Sequence, residues 1–332
     1  MLNETAQALI QSAFKKKPNM NMTIGVLQDG KTTCKLFDAT GEIPYESYGY
    51  EIGSVGKTFT TSLLAKYIES GAMSLDESVA KYIPELGDDQ YYPTLLRLAL
   101  HTAGYRSTLP MTQKEVRSLV WKQITGKSAS ALDLLGMDFD KLITTAKAQQ
   151  LEDKDYKWAY SNFGMSLLGC AVGRAAGMSY ADAMTQFIVQ DLKLPNTCVG
   201  NGAKNMLTGH DVHHRDVGVW NADPNNYTSP AGNFTSCAED MLEFARLNIE
   251  ESPSCLALCH QRYDMKNKHS DMGLGWWIDF KQPSIYYHGG NTDGFASMLA
   301  FDKQAKTAVT ILTNVQMYKQ REKLFMEILK AI

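Results

Sequence analysis

The stretch Glu51-Ile-Gly-Ser54-Val-Gly-Lys57-Thr-Phe-Thr60 decides the fold and the chemistry that we expect of this chain. Apolar residues follow it at helical spacing until a glycine, so the sequence predicts a helix from Ser54 to about Ser70. Ser54 and Lys57 stand three residues apart at the start of that helix, and their side chains therefore share one face. Burial lowers the pKa of a lysine, and a neutral amine can accept the proton of a serine hydroxyl. With the backbone donors of a helix N-terminus beside it, this pair is typical of a serine nucleophile and an oxyanion site.

Two other interpretations of this stretch remain open. A serine and a lysine at this spacing arise often by chance, and they also fit a helix cap followed by a solvated lysine. Gly56-Lys57-Thr58 ends like a phosphate-binding loop. However, Glu51 occupies the position of that loop's first glycine, where a carboxylate would repel phosphate, and no buried apolar strand precedes it. These departures argue against nucleotide binding.

A second candidate segment is Tyr160-Ser161-Asn162, which directly precedes an apolar helix predicted over residues 164–176. A tyrosine at a loop-to-helix junction can shuttle protons when nearby cations depress its pKa. An asparagine amide offers both a donor and an acceptor to a substrate amide or carbonyl. The same residues also fit an ordinary helix N-cap with a packed tyrosine.

The third candidate segment is His288-Gly289-Gly290-Asn291, at the end of a predicted strand. Adjacent glycines let a substrate backbone approach the edge of a strand closely. A histidine with an ordinary pKa carries partial positive charge near neutral pH. Taken alone, the segment is equally well explained as a glycine-rich turn.

Short β-type runs lie near both ends of the chain, and helical patterns lie between them. Strands are predicted at residues 22–26, 33–37, 273–280, 284–288, 296–302 and 308–314. Helices are predicted at residues 3–15, 95–100, 142–148, 164–176, 181–192 and 240–248, with a closing amphipathic helix near 324–329. This order predicts an α+β fold: an antiparallel sheet built from both termini, flanked by helices, with an inserted, mainly helical domain.

Length and composition agree with two domains around one core. The chain has 332 residues, enough for about two domains, and its 44% of hydrophobic residues argues against wholesale disorder. We expect residues 1–80 and 235–332 to form a discontinuous sheet domain. Residues 81–234 then form the mainly helical domain, with a loop excursion over 201–233, and the active site lies between the two domains.

Charge and cysteine usage restrict the partners. The net charge is −3 and no long basic block occurs, which argues against nucleic acid as a partner. No run approaches the roughly 20 apolar residues of a transmembrane helix, and the first residues do not form a signal peptide. Six scattered cysteines without a CxxC pair favour reduced thiols. A cytoplasmic location is expected for the sequence as given, or a periplasmic or extracellular one if an export signal was removed.

The order S-x-x-K, then Y-x-N, then H-G-G resembles the penicillin-recognising serine hydrolases. Within them it is similar to the class C β-lactamase and D,D-carboxypeptidase-like group, which also includes many esterases. Leu95-Leu-Arg-Leu-Ala-Leu-His-Thr-Ala-Gly104 looks like that group's L-L-x-H-T-S-G segment, and Ser229-Pro-Ala-Gly-Asn-Phe-Thr-Ser-Cys-Ala-Glu-Asp-Met241 resembles its A-G-G-L-x-S-T-A-x-D-M segment. The resemblance extends from about residue 20 to the end of the chain.

The resemblance implies a role for each motif residue. Ser54 attacks the substrate carbonyl and becomes acylated. Lys57 and Tyr160 together handle the serine proton and its delivery to the leaving group, and the principal base stays open between them.

The remaining motif residues are implied to bind the substrate. Asn162 bonds the acyl side of the substrate, and His288 and Gly290 line the strand side of the cleft. The backbone N–H groups of Ser54 and Asn291 form the oxyanion hole. No cofactor or metal is implied.

Four positions depart from the group's usual motifs. H-G-G stands where β-lactamases of this group usually have K-T-G, so a lysine charge and a threonine hydroxyl are missing. If His288 anchors a substrate carboxylate as imidazolium, affinity should fall as the pH rises from about 5.5 to 8. Gly56 replaces a usual threonine and Asn233 a usual glycine, and we treat both departures as mild.

The sequence therefore predicts a serine hydrolase that acts on a small ester, a D-alanyl peptide or a β-lactam. The H-G-G motif favours esterase or D,D-peptidase activity over efficient β-lactamase activity. The alternative is a catalytically weak penicillin-binding protein that senses cell-wall fragments. The cluster from His210 to Asp216 contains possible zinc ligands, but it lacks a metalloprotease motif, and we predict an exposed loop there.

Overall fold

The computed structural model of the protein describes residues 3–15, 17–105, 117, 136–220, 223–265, 270–317 and 319–329. The helices in these ranges are Glu4–Phe14 (α1), Gly56–Glu69 (α2), Leu95–Ala99 (α3), Phe139–Lys147 (α4), Asn162–Ala176 (α5), Tyr180–Gln186 (α6), Ala238–Glu250 (α7) and Lys319–Leu329 (α8). The strands are Met22–Gln28 (β1), Lys31–Asp38 (β2), Gly41–Ile43 (β3), Tyr50–Glu51 (β4), Cys198–Val199 (β5), Gly209–His210 (β6), Asp216–Gly218 (β7), Phe234–Ser236 (β8), Ser270–Met272 (β9), Trp277–Asp279 (β10), Ile285–Asn291 (β11), Ala296–Asp302 (β12) and Thr307–Thr313 (β13).

Eight strands form one antiparallel sheet in the order β3-β2-β1-β13-β12-β11-β10-β9. The two ends of the chain meet in its middle, where β1 pairs with β13 and Met22 lies opposite Thr313. A hairpin turn at Asp29-Gly30 joins β1 to β2, and both turn residues have positive φ. The α+β fold with an antiparallel sheet built from both termini is therefore confirmed.

Helices cover both faces of this sheet. On one face, α1 and α8 pack in a cluster that includes Ile10, Ile24 and Phe325. The next residue of β1, Gly25, points to the other face, where a Cβ would lie 2.9 Å from Leu242 of α7. Because both faces are covered, β12 and β13 are buried along nearly their whole length and their sequences are continuously apolar or small.

Helix α2, which follows Ser54, is buried from Gly56 to Ala65. It packs against α5 and against the 3₁₀ segment Ser254–His260. Backbone carbonyls accept from its buried hydroxyls, as when Thr58 donates to Val55 at 2.7 Å. A helix enclosed in this way holds the residues at its N-terminus in fixed positions.

Three predicted elements differ from the structure in their bounds or in their helix type. The helix expected from Ser54 begins as a 3₁₀ turn, Gly53–Val55, before α2. Of the strand expected over 273–280, only Trp277–Asp279 (β10) forms, because the chain reverses at Gly275, whose φ is 76° and whose backbone touches α2. The helix expected over 181–192 ends in a π-helical segment, Phe187–Leu192.

A second, small sheet lies outside the eight-stranded one. Strand β8 pairs with β4 on one side and with β5 on the other, so the predicted inserted region is hydrogen-bonded to the sheet-forming parts of the chain. The loop expected over 201–233 contains the short β6-β7 pair. The domain boundaries stay a prediction. In the described ranges, no helix is both long and apolar enough to cross a membrane.

Candidate active site

Ser54 lies in the 3₁₀ turn between β4 and α2, where the chain passes directly beside β11. Gly53 has a φ of 51°, and a Cβ on it would lie 2.9 Å from the backbone nitrogen of Asn291 and 2.8 Å from its carbonyl oxygen. Glycine is therefore needed at position 53 for both conformation and space. This close approach places the serine turn against the strand that carries the third motif.

Lys57 is fully buried on the first turn of α2, beside Ser54. Its Nζ donates to Ser54 Oγ at 3.1 Å and to the carbonyl oxygen of Ala231. The same nitrogen lies 4.8 Å from the centre of the Tyr160 ring. Burial lowers the pKa of Lys57 from its ordinary value near 10.5 to about 7. A substantial share of this amine is thus neutral at physiological pH.

Tyr160 reaches the same serine from the opposite side of the cleft. Its hydroxyl forms a hydrogen bond with the Ser54 side chain. Burial nevertheless raises the pKa of Tyr160 well above its usual range, so the phenol keeps its proton at neutral pH. The sequence prediction required nearby cations that depress this pKa. In the structure desolvation raises it, and the hydrogen bond with Ser54 opposes that rise only in part.

His101 contacts Tyr160 and both of the residues that flank it, a role that the sequence did not reveal. Its backbone carbonyl accepts from the N–H of Ala159 at 2.9 Å, and its Nδ1 accepts from the N–H of Ser161 at 3.2 Å. Its ring centre lies 4.7 Å from that of Tyr160. Desolvation, followed by the charges of Lys57 and His288, lowers the pKa of His101 to about 3. A neutral Nδ1 can accept a hydrogen bond, which agrees with this geometry.

Asn162 begins α5 and offers an unused acceptor. Ser161 is the N-cap of this helix, since its hydroxyl accepts from the N–H of Gly164 at 2.9 Å. The cap that the sequence allowed is therefore confirmed for Ser161, which leaves Asn162 available for another role. Within the described ranges, its buried Oδ1 has no hydrogen-bond partner. A substrate N–H is the group that this oxygen would accept from.

His288 lies beside these residues, but the expectation of a positively charged anchor is wrong. The side chain is buried, and its Nδ1 donates to the carbonyl of Gly289 at 2.9 Å. Desolvation, with the charges of Lys57 and Arg321 nearby, lowers the pKa of His288 to about 3. The imidazole is therefore neutral across the whole range from about pH 5.5 to 8.

The edge of β11 turns one peptide N–H toward the serine. Gly290 pairs with Ser297 of β12, and the N–H of Thr292 donates to the Phe295 carbonyl at 3.0 Å. Hydrogen-bonded positions alternate along an antiparallel strand, so the N–H of Asn291 points away from β12, toward the serine turn. The backbone of Gly290 packs so tightly on Ile52 and Ser297 that a side chain has no room. The structure thus brings six of the seven predicted site residues together, namely Ser54, Lys57, Tyr160, His288, Gly290 and Asn291, and Asn162 follows two residues after Tyr160 at the start of α5.

Residues 10–331 match the profile of a protein family described as Beta-lactamase. The chain belongs to this beta-lactamase family. Among its relatives, Protein flp of Staphylococcus aureus (strain N315) is 20% identical over 281 residues, which cover 80% of this chain and 53% of flp. Beta-lactamase of Escherichia coli (strain K12) is 26% identical over 290 residues, covering 83% of this chain and 70% of that one. The chain spans about half the length of flp.

Solved structures from the beta-lactamase family share the fold. A class C beta-lactamase superposes with a TM-score of 0.81 at 21% identity, covering 99% of this chain and 96% of that one. The beta-lactamase/D-alanine carboxypeptidase from Pseudomonas syringae superposes with a TM-score of 0.79 at 20% identity, covering 98% and 97%. At these identities the likeness shows the fold, and the roles of individual residues in this family member depend on its own geometry.

Two further residues near the site were missed as functional candidates. The carbonyl of Ala231 holds Lys57, and the chain there is drawn close by Gly232, where a Cβ would lie 2.8 Å from the Gly53 carbonyl carbon. Arg321 of α8 is buried beside β11. A charged residue three positions before Leu324, on the apolar face of an amphipathic helix, was the signal that could have revealed it.

The cluster near His210 lies in the β6-β7 pair. His210 itself is buried and pairs with Asp216 at 2.8 Å, whereas Val212 and His213 are exposed. The prediction of a wholly exposed loop is thus wrong for His210, whose backbone N–H donates to Gly294 and Asn314. Among the described residues, no group of three or more His, Cys, Asp or Glu side chains is arranged to hold a metal ion.

Proposed function

We propose that this protein is a serine hydrolase that cleaves an ester or an amide through an acyl-enzyme on Ser54. The observation that carries the proposal is the buried Lys57 amine, which contacts the Ser54 hydroxyl and whose pKa burial lowers to about 7. In its neutral form this amine accepts the hydroxyl proton while Ser54 Oγ bonds to the substrate carbonyl carbon. A lysine of ordinary pKa would keep its own proton at neutral pH, so we assign Lys57 as the principal base.

Tyr160 completes the proton path in this proposal. Because its phenol remains protonated and contacts Ser54, it is suited to act as the acid. When the tetrahedral intermediate collapses, the bond from carbon to the leaving oxygen or nitrogen breaks, and Tyr160 donates its proton to that atom. The proton taken by Lys57 then returns to Tyr160 through the same hydrogen-bond network. Water attacks the acyl ester next, and Ser54 leaves with its proton restored.

The oxyanion of each tetrahedral intermediate is assigned to two backbone donors. The N–H of Ser54 lies at the start of the α2 region, and the N–H of Asn291 projects from the edge of β11. Both donors are held by packed backbone, so they need little rearrangement as negative charge develops. Preorganised donors of this kind contribute about 3 to 4 kcal/mol each to lowering a barrier.

The binding surface favours an uncharged substrate over a β-lactam carboxylate. His288 is neutral, and Gly289 offers no hydroxyl. Beside Gly289 lies a cavity of about 490 Å³ whose walls include the rings of Trp158, Trp277 and Tyr287 and the side chains of Arg321 and Glu322. An aromatic cavity in which a carboxylate side chain accompanies the guanidinium suits an uncharged group on the substrate. We therefore infer esterase or D,D-peptidase activity rather than efficient β-lactamase activity.

A matched substrate panel tests the proposed function. We expect the neutral butanoyl nitrophenyl ester to exceed the carboxylate-bearing succinyl ester by about 10-fold or more in kcat/KM, because no imidazolium balances the second charge. The ratio of kcat/KM between the two esters should stay flat from about pH 5.5 to 8, since His288 does not titrate there and the titration of Lys57 affects both esters alike. Steady-state kinetics on both esters, a D-Ala-D-Ala peptide and a cephalosporin reporter measure this, with peptide mapping locating the acyl group.

The other outcomes of the panel are decisive. Rapid cephalosporin hydrolysis would identify an efficient β-lactamase. Acylation of Ser54 without turnover of any substrate would identify a weakly catalytic penicillin-binding protein. Hydrolysis without an acyl group on Ser54 would contradict the acyl-enzyme itself.

The pH dependence of acylation tests Lys57 as the base. The rate should rise about 10-fold per pH unit below pH 7 and level off above it, because the neutral amine is the active form and its pKa lies at about 7. Single-turnover acylation by the neutral ester, corrected for spontaneous hydrolysis, measures the profile.

Glu51 is the necessary control, because burial raises its pKa to about 7 as well. This carboxyl accepts from the N–H of Trp220 and lies one residue before Ile52 of the serine turn. If Lys57 controls the rate, the Glu51→Gln variant keeps the same inflection. Loss of the inflection in that variant would assign the profile to Glu51 instead.

A further inference from the structure

Arg321 is a buried cation that contacts the strand carrying the second oxyanion donor. It lies on α8, and its side chain crosses to the inner end of β11. Its Nη1 donates to the carbonyl oxygen of Gly290 at 2.5 Å and to Oδ1 of Asn291 at 3.3 Å. Two contacts from one nitrogen thus hold both the backbone and the side chain at this point of the strand.

The accepting carbonyl belongs to the same peptide unit as the oxyanion donor. The Gly290 C=O and the Asn291 N–H flank one peptide bond and point in opposite directions. The carbonyl faces β12 and receives the guanidinium, while the N–H faces the turn of Ser54. A charged donor on the carbonyl polarises the unit and makes its N–H a stronger donor.

Gly289 is matched to this arginine. A Cβ at position 289 would lie 2.7 Å from Nη2 of Arg321 and 3.2 Å from its central carbon. The guanidinium therefore occupies the space that a threonine side chain at this position would need. Glycine in place of the threonine of K-T-G therefore goes together with the presence of Arg321.

We propose that Arg321 is a positioning residue that holds and polarises the Gly290–Asn291 peptide for the oxyanion. This inference depends on the proposed acyl-enzyme chemistry. The charge acts mainly on the transition state, where negative charge develops opposite the Asn291 N–H, and less on the bound neutral substrate. Arg321 itself does not touch the reacting atoms.

Kinetics on the full chain test the proposal with Arg321→Met and Arg321→Lys. In Arg321→Met, single-turnover acylation by the neutral ester should fall about 10- to 100-fold while apparent substrate affinity changes less than about 2-fold. The inhibition constant of phenylboronic acid, whose tetrahedral adduct places an oxygen among the same donors, should rise by the same factor. Arg321→Lys should recover part of the loss. Lys323→Met, an exposed residue on the same helix, should change neither.

A spectroscopic measurement keeps this inference separate from the proposed function. With ¹⁵N-asparagine-labelled protein, the Asn291 amide proton should move upfield in Arg321→Met, since its peptide loses the polarising charge. This shift is expected whether or not the protein turns over an ester. If the wild type is not acylated but the shift occurs, the proposed function is wrong, whereas the contact of Arg321 with the Gly290–Asn291 peptide is confirmed.

Two results would overturn the role of Arg321. One is a folded Arg321→Met protein with unchanged acylation, boronate affinity and Asn291 shift. The other is a loss of acylation that is confined to the succinyl ester, which would make Arg321 a direct carboxylate ligand. If Arg321→Met does not fold, Gly289→Ala serves instead, because its methyl group displaces the guanidinium and should lower acylation in the same way. Unchanged acylation in that variant would also contradict the proposal.

Discussion

Replacing Ser54 with alanine is expected to abolish the acyl-enzyme and to lower kcat/KM for the neutral ester by about 10⁴-fold or more. The Ser54 oxygen is the atom that both Lys57 and Tyr160 contact, so its removal leaves the base and the acid without a nucleophile between them. Residual activity would come from water placed near the two oxyanion donors. Intact-mass measurement after exposure to the ester should show no acyl adduct, and steady-state kinetics should give the fold-change.

Ser62→Ala is the matched control for this substitution. Ser62 is also on α2 and buried, but its hydroxyl donates to the Thr58 carbonyl, away from the cleft. This variant should keep activity within about 2-fold, with at most a modest loss of stability. An alanine at position 54 in a folded protein that hydrolyses the ester at the wild-type rate would rule out the proposed mechanism.

Local spacing explains why the contact between Ser54 and Lys57 was predictable from sequence. Ser54 and Lys57 are three residues apart on one helix, so their proximity follows from helix geometry whatever the rest of the fold. Whether Lys57 is buried was left open, and the structure answers this by enclosing α2 from Gly56 to Ala65. The positions of most strands were predictable for a similar reason to the Ser54–Lys57 contact, because alternation and turn residues act locally.

His288 shows where sequence reasoning failed. Its residue type indicates a group that titrates near neutral pH, but the pKa depends on what surrounds the ring. In the fold, desolvation and the charges of Lys57 and Arg321 act together on it, and Arg321 comes from a helix more than thirty positions along the chain. That environment exists only after α8 packs against the sheet.

Arg321 and His101 were missed for the same physical reason. Each acts on backbone that lies close in space and far in sequence: Arg321 on the peptide before Asn291, and His101 on the residues flanking Tyr160. Motif spacing identifies groups that touch the substrate. The residues that hold those groups depend on tertiary contacts, and a single sequence does not contain that information directly.

The glycines near the site lie where the chain makes these close tertiary contacts. Gly53 allows the serine turn to meet β11, Gly232 allows the Ala231 carbonyl to approach Lys57, and Gly289 leaves space for Arg321. Gly56, treated above as a mild departure, meets the ring of Phe234, so a threonine there would collide with that ring. In this cleft, the small residues indicate where other groups come close.

Replacing Lys57 with methionine is expected to lower acylation by about 10²- to 10⁴-fold while raising the stability of the protein. The loss follows because the neighbouring Tyr160 and His288 are poor bases at neutral pH: Tyr160 is a protonated phenol, and burial lowers the pKa of His288 to about 3, so its free ring nitrogen binds a proton only weakly. The gain follows because burying the lysine lowers its pKa from about 10.5 to about 7, a desolvation cost of about 5 kcal/mol. Methionine has a similar length and no charge.

The stability gained by replacing Lys57 with methionine should depend on pH. Between about pH 7 and pH 10.5 the unfolded chain binds more protons at Lys57 than the folded protein does, so wild-type stability rises with pH across this window. The advantage of methionine is therefore largest below about pH 7 and fades toward pH 10.5. Losing the bond to the Ala231 carbonyl offsets part of it, and we expect a net gain of about 1 to 3 kcal/mol at about pH 6.

Thermal unfolding of both proteins at about pH 6 and pH 9.5 measures this difference, with Lys66→Met as the control. Lys66 lies on the same helix, but its side chain is 41% exposed and pairs with Asp191 at 2.6 Å, so it carries little desolvation cost. Its replacement should neither stabilise the protein nor lower acylation. If Lys57→Met were instead destabilising at pH 6 and retained acylation, Lys57 would be a charged structural residue, and the proton of Ser54 would have to leave by another route.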